Sequence, residues 1–281
     1  MKALYLHIIL ILSALELNAQ VSWLPEVPRK SDFYGGWGWN RASYTTSDIR
    51  FTGEGYDFTL NDVRAKDRQT PFKAEVYFGP TTVTIPQTNF RFGYFLNDHW
   101  TLSFGVDHMK YVMQAYQTVE FSGNINDSSY NYLIEGNSIQ LDPSFLIYEH
   151  TDGLNYINVE AEYFQPLFSY KKFAINGYSG AGLGAMLPKT NVTLMKFPRH
   201  DEFHLSGYGL SAKAGIEFLF WKYFFIRFDY KTGFIHMPDI LTRDGDVTDR
   251  ASQHFFFAQR MGMFGFNAPI KKKDSNKKTA E

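Results

Sequence analysis

From about residue 32 to residue 266, apolar and polar side chains exchange every second position, in segments rich in aromatic and β-branched residues. That period places successive side chains on opposite faces of a strand, and no amphipathic helical period interrupts it. The clearest case sets Phe224, Ile226, Phe228 and Tyr230 on one face and Phe225, Arg227, Asp229 and Lys231 on the other. Tight connections at Asn97-Asp98, Ser169-Tyr170-Lys171 and Trp221-Lys222-Tyr223 are separated by much longer polar ones. The pattern predicts an all-β chain of eight antiparallel strands, near 32–46, 86–95, 99–112, 153–167, 172–187, 204–220, 224–236 and 253–266. The long connections are then 47–85, 113–152, 188–203 and 237–252. The first two exceed what a structureless loop normally reaches. Thr118-Val119-Glu120-Phe121 and Ser138-Ile139-Gln140-Leu141 therefore read as strand extensions or hairpins; if instead they cross a bilayer, the count rises to ten or twelve.

Composition narrows the purpose of such a sheet. The 281 residues carry 28 basic and 29 acidic side chains, and 18% are aromatic. Near neutrality gives no electrostatic reason to expect nucleic acid as a partner. The absence of Cys removes disulfide frameworks, thiolate metal centres, iron–sulfur clusters and cysteine nucleophiles. A mean hydropathy of -0.30 argues against a bundle of membrane-spanning helices. The first residues have a basic start at Lys2, an apolar stretch from Ala3 to Leu15, and Leu17-Asn18-Ala19 before Gln20. This predicts a signal peptide over 1–19, cleaved after Ala19, and Sec-type export. Residues 20–31 come next as an N-terminal segment on the periplasmic side, and 267–281, with Lys271-Lys272-Lys273, as a polar basic tail there.

An exported all-β chain with short turns at one end and long loops at the other has the layout of an outer-membrane barrel. Charge on the lipid face is costly, so strand register is fixed by turning charges inward. The outward faces then read Phe90, Phe92, Tyr94; Trp100, Leu102, Phe104, Val106; Ile157, Val159, Ala161, Tyr163; and Leu210, Ala212, Ala214, Ile216, Phe218. The lumen receives Arg91, Asp107, Glu160, Glu162, Lys213, Glu217, Arg227, Asp229, Lys231 and Arg260, five acids against five bases. Such a balance predicts a paired network rather than a selectivity ring. Gly180, Gly182 and Gly184, spaced by two along one strand, lack the helix that continues a phosphate-binding glycine loop and read as room for large neighbours such as Arg or Tyr. Trp37, Trp39, Trp100, Tyr223 and Phe266 fit interfacial aromatic girdles.

On these features, together with the aromatic ending Phe264-Gly265-Phe266, residues 32–266 resemble the small Gram-negative outer-membrane β-barrels, the superfold of the OmpA transmembrane domain, OmpX and OmpW. Asp48-Ile49-Arg50-Phe51 and Gly105-Val106-Asp107-His108-Met109-Lys110-Tyr111 resemble stretches of a subgroup without an assigned activity. The resemblance implies a transmembrane up-and-down barrel inserted by the barrel-assembly machinery among outer-membrane lipids and lipopolysaccharide. It does not give a function, because the superfold hosts anchors, adhesins, small-molecule pores and lipid A-modifying enzymes.

Three functions come into question. The favoured one is a non-enzymatic barrel with a filled lumen and no cofactor, contacting a ligand through 47–85 and 113–152. The second is an acyl hydrolase of the outer leaflet: deacylases of this superfold use Ser and His on the outer wall, and here Ser206, His236 and Glu202 supply nucleophile, base and orienter. The third, a narrow channel for small apolar molecules, conflicts with the charged lumen. His200, Glu202 and His204 are candidate metal ligands, since alternation puts them on one side of an extended loop. Asp244-Gly245-Asp246-Val247-Thr248-Asp249 begins like a calcium loop but lacks its Gly and Glu. Asp107 and His108 have opposite parity, and Glu149-His150-Thr151-Asp152 reads as ordinary polarity at a strand rim.

Overall fold

Alternating sequence becomes long antiparallel strands in the computed structural model, which describes residues 27–270 except 80, 83, 84, 246 and 247. The signal-peptide reading over 1–19 and most of the basic tail fall outside the described residues. In chain order the elements are β1 (Phe33–Tyr44), β2 (Ser47–Gly53), β3 (Tyr56–Val63), β4 (Ala65–Lys66), α1 (Ala74–Phe78), β5 (Thr88–Phe95), β6 (Trp100–Met113) and β7 (Thr118–Ile125). A 3-10 turn (Ser128–Leu133) leads to β8 (Ile134–Glu135), β9 (Ser138–Gln140), β10 (Leu146–Tyr170) and β11 (Phe173–Met186). β12 (Lys189–Leu194), β13 (His200–Phe203), β14 (Gly207–Phe220), β15 (Phe224–Leu241) and β16 (Arg250–Ala268) complete the chain.

Eight strands, β1, β5, β6, β10, β11, β14, β15 and β16, succeed one another as antiparallel neighbours. β16 returns to β1, from Phe33 opposite Ala268 to Tyr44 opposite Phe257, so the ring has no free edge. The expected count of eight holds; the segments that would have raised it to ten or twelve pair outside the ring. The connections at 96–99, 171–172 and 221–223 share one end, here the lower, with Phe33 and Ala268. The long connections share the upper end. No described helix is long and apolar enough to cross a membrane.

The long connections are built structure. β2 pairs with the upper part of β16, β3 with β2, β7 with β3 and β9 with β7, while β12 and β13 extend from the top of β10. These strands enclose an apolar core of Phe51, Phe58, Tyr111, Phe145, Tyr148 and Phe255 among others, inside and above the upper ring. A smaller cluster of Tyr34, Phe95, Phe164, Tyr178, Leu219 and Phe225 occupies the lower end.

Three ring strands run further up than their alternation predicts. β10 begins at Leu146 rather than near 153, β15 continues to Leu241 rather than 236, and β16 starts at Arg250 rather than 253. The physical reason is the bulge. Register shifts between His150 and Leu154, where Gly153 has φ +132°, and again between Met237 and Ile240 around Pro238. At Pro238 one extra residue reverses the side-chain parity, and at Gly153 two extra residues interrupt the ladder while Leu154 and Tyr156 face inward like Tyr148 and His150, so the pairing breaks locally while each strand continues.

Candidate functional site

Inside the ring, alternation delivers nearly every predicted charge. Arg91 is 2% exposed, Glu160 1%, and Asp107, Glu162, Glu217 and Lys231 0%. Arg91 from β5 meets Glu160 of β10 at 2.8 Å and Asp107 of β6 at 3.3 Å. Lys231 from β15 reaches the same two carboxylates at 2.6 and 2.5 Å. Lys213 from β14 adds a 2.6 Å contact to Glu160 and another to Glu162. This six-membered cluster is neutral, three cations on three acids. Asn158 donates to Asp107 at 3.0 Å and Thr101 to Glu162 at 2.8 Å, which occupies further lone pairs. Removing one partner of such a buried pair typically costs about 3–5 kcal/mol, because the other charge is stranded. Asp229 accepts from the Tyr178 hydroxyl at 2.5 Å.

Arg260 does not join them. It lies exposed on the outer wall, while its neighbours Gln259 and Met261 face the lumen. Uninterrupted alternation along β16, from Phe255 and Phe257 to Met263 inward, fixes that parity. Its place inside is taken by Arg29, which the sequence pattern assigns only to the N-terminal segment. Arg29 enters the lower mouth and meets Glu217 at 2.7 Å, where Arg227 holds the second carboxylate oxygen at 2.7 Å. Its guanidinium lies 4.0 Å from the centre of the Phe95 ring. The five-against-five balance therefore stands with a different fifth cation. Arg29 precedes β1, so strand alternation carried no signal for it.

The glycines make room as expected, but for other neighbours. A Cβ at Gly182 or Gly180 would strike the stem of Glu160 or Glu162, the residues directly opposite on β10. Outward positions match the predicted apolar belt: Phe92, Trp100, Leu102, Phe104, Val159 and Leu210 are all exposed. Trp100, Tyr223 and Phe266 stand at the lower rim; Trp37 packs higher, against Phe264 and Phe90, and Trp39 against Tyr77 and Phe78 of α1.

The other candidates separate. Ser206 is buried rather than outward, and its hydroxyl donates to the His204 carbonyl at 3.3 Å. His236 lies opposite Tyr208 and His254, edge-on to the first ring at 5.4 Å and tilted against the second at 6.2 Å, and Glu202 is exposed on β13. The structure does not bring the Ser206, His236 and Glu202 side chains into hydrogen-bond contact with one another. Nor do the metal candidates converge: His200 pairs with Asp244, and His204 with Asp239 at 2.9 Å. Burial raises the Asp239 carboxyl, but hydrogen bonds from His204 and Arg250 outweigh it and hold the group low. Among the described residues no three metal-competent side chains cluster. Asp246 and Val247 of the calcium-like stretch lie outside the described residues.

His150 corrects the expectation of rim polarity. It is fully buried against Tyr111 and Tyr148, with Nδ1 3.0 Å from the Thr190 hydroxyl. Burial pushes its imidazole down to about 3. Glu149 instead faces Arg68 at 2.7 Å and Asn191 at 2.9 Å. On the outer wall a shallow groove of about 660 Å³ runs between Phe104, Val159, Leu183, Leu205 and Tyr208.

No protein-family model and no curated protein matches the sequence. Solved structures of small outer-membrane β-barrels are similar to it. OprG of Pseudomonas aeruginosa has a TM-score of 0.40 at 10% identity, covering 86% of this chain and 98% of that one. AlkL gives 0.38 at 12%, covering 91% and 100%. Ail, the attachment invasion locus protein of Yersinia pestis, gives 0.32 at 11%, covering 85% and 99%.

Proposed function

We propose that the chain is an eight-stranded transmembrane β-barrel of the bacterial outer membrane, exported by the Sec route. In this reading the barrel-assembly machinery inserts it, and its outward belt meets outer-membrane lipid and lipopolysaccharide. It is non-enzymatic, and acts through the folded extension that stands above the barrel outside the cell. The observation that carries this reading is the burial of the lumen charges. Water in an open pore would leave those side chains accessible, whereas Glu217, Lys231, Asp107 and Glu162 are 0% exposed. An eight-stranded barrel is just wide enough for side chains to fill it. With transport disfavoured, the elaborated part is the extension, built mainly from 47–85 and 113–152, whose exposed Tyr116 and Tyr132 are suited to contact a partner.

The purified protein is expected to migrate anomalously before heating, as folded barrels do, and to give no steady conductance in planar bilayers. Lipid A from cells with and without it should have the same acylation. A sustained ion current would replace this reading with a channel, and altered acylation with an enzyme.

A further inference from the structure

The one predicted lumen charge that faces outward is not alone. Arg260 of β16 lies directly opposite Arg41 of β1, and Arg41 is also on the outer face, since Ala42 beside it is buried. Two like charges opposed across neighbouring strands destabilise a sheet. Neither guanidinium has a carboxylate in ion-pair contact among the described residues. Arg41 donates to the Asn40 carbonyl at 2.8 Å and to the Tyr77 hydroxyl at 3.2 Å, both uncharged. Asp67, the acid that senses Arg41, accepts the Ala42 amide at 3.2 Å instead. The surroundings are apolar: Tyr230 is the other cross-strand neighbour of Arg260, Phe256 and Phe228 are exposed on the same wall, and Trp39 sits below Arg41.

The height of the pair matters. Arg41 is eight residues above Phe33 and Arg260 six above Phe266, both at the lower rim. At about 3.3 Å per residue and a strand tilt near 40°, they stand roughly 20 and 15 Å up an apolar band of about 25 Å. Long cationic side chains reach from there toward the upper interface. Beside them α1 offers exposed Phe78, and Phe72 before it is exposed too.

We propose that Arg41 and Arg260 form a binding site on the outer wall for a phosphate of an outer-leaflet glycolipid, the phosphorylated headgroup of lipopolysaccharide. The anion cancels the repulsion between the two guanidiniums, whose planar forks match phosphate oxygens. The acyl chains run down the wall from the pair, past Tyr230 to Phe228. This rests on the reading of the chain as an outer-membrane barrel.

The test uses the full mature chain in detergent micelles with added lipid A, bound lipid being counted by native mass spectrometry. Wild type is expected to retain phosphorylated lipid A at least tenfold better than the double variant R41Q/R260Q, and R260K to fall between them. Dephosphorylated lipid A should be retained equally poorly by all three. Equal retention of phosphorylated lipid A by wild type and double variant, with both showing heat-shifted migration, would overturn the site and leave the barrel reading intact. Absence of heat-shifted migration in both would remove the barrel reading and the site with it. Competition by millimolar inorganic phosphate should fail; full displacement would identify free phosphate as the ligand and overturn the lipid assignment.

Discussion

The His150 imidazole shows how far one side chain departs from what its sequence neighbourhood announces. Flanked by Glu149, Thr151 and Asp152, it looks like part of a hydrated rim, yet the chain folds it between Tyr111 and Tyr148. Its folded value of about 3 lies below the ordinary 6.5. Between those values the unfolded segment binds a proton that the folded one excludes, so stability rises with pH across that window and falls on acidification. The loss is roughly 1.4 kcal/mol per pH unit once below 6.5, about 2 kcal/mol by pH 5. The protection factors of β10 residues 146–150, that is exchange relative to the intrinsic rate at each pH, should fall accordingly between pH 7 and pH 5. In H150F, which keeps an aromatic ring but cannot be protonated, that loss of protection should shrink; an identical pH response in H150F would show that other groups set it. Arg29 makes a parallel point, because outside a strand a residue has no parity and its inward position depends on where the chain leads.

At the scale of elements, the ring was legible because one physical rule governs it everywhere. A side chain inside the ring meets other strands, one outside does not, and charge segregates by parity. Legibility ends where that rule is suspended. The bulges at Gly153 and Pro238 hid the upper reaches of β10 and β15, and the long connections contain short strands whose partners lie far away in sequence. Thr118–Phe121 and Ser138–Leu141 were recognisable as extended, but their pairing with each other was not. The pairing makes this unit removable. The Tyr116 amide donates to the Leu141 carbonyl at 2.8 Å, so residues 117–140 can be replaced by a short glycine-containing turn. Because β3 loses its β7 partner, Phe58 loses Phe121 and Phe145 loses Tyr130, the remaining extension should become sensitive to protease. The ring should still show heat-shifted migration. A variant that no longer folds at all would mean that the extension and the ring are one cooperative unit.

Across the whole molecule, the lumen is closed three times over. Aromatic packing fills the upper end, the neutral six-charge cluster the middle, and the Arg29–Glu217–Arg227 group with its aromatic collar the lower end. Redundant closure predicts that no single lesion opens a path. R29A, and separately the 117–140 replacement, should each leave planar-bilayer conductance at baseline. A steady current from R29A alone would show that the lower group is the sole seal. The same layering explains why the candidate active site was hardest to read: the sequence marks which residues face inward, but not which strand-end residues turn away from the wall, as Ser206 does.

The Arg29–Glu217 contact also sets an order of events. It joins residues 188 apart in the chain, and Arg29 lies 3.4 Å from Asn267, 238 residues away. Contacts of such sequence separation are among the last a folding chain can make. Arg29 sits just before the first ring strand and Asn267 near the end of the last, so the group completes only when the two ends of the sheet meet. Until then Glu217 lacks one of its two cations. The finished molecule is thus fastened at its seam, and the fastening is available only to a chain whose circle has closed.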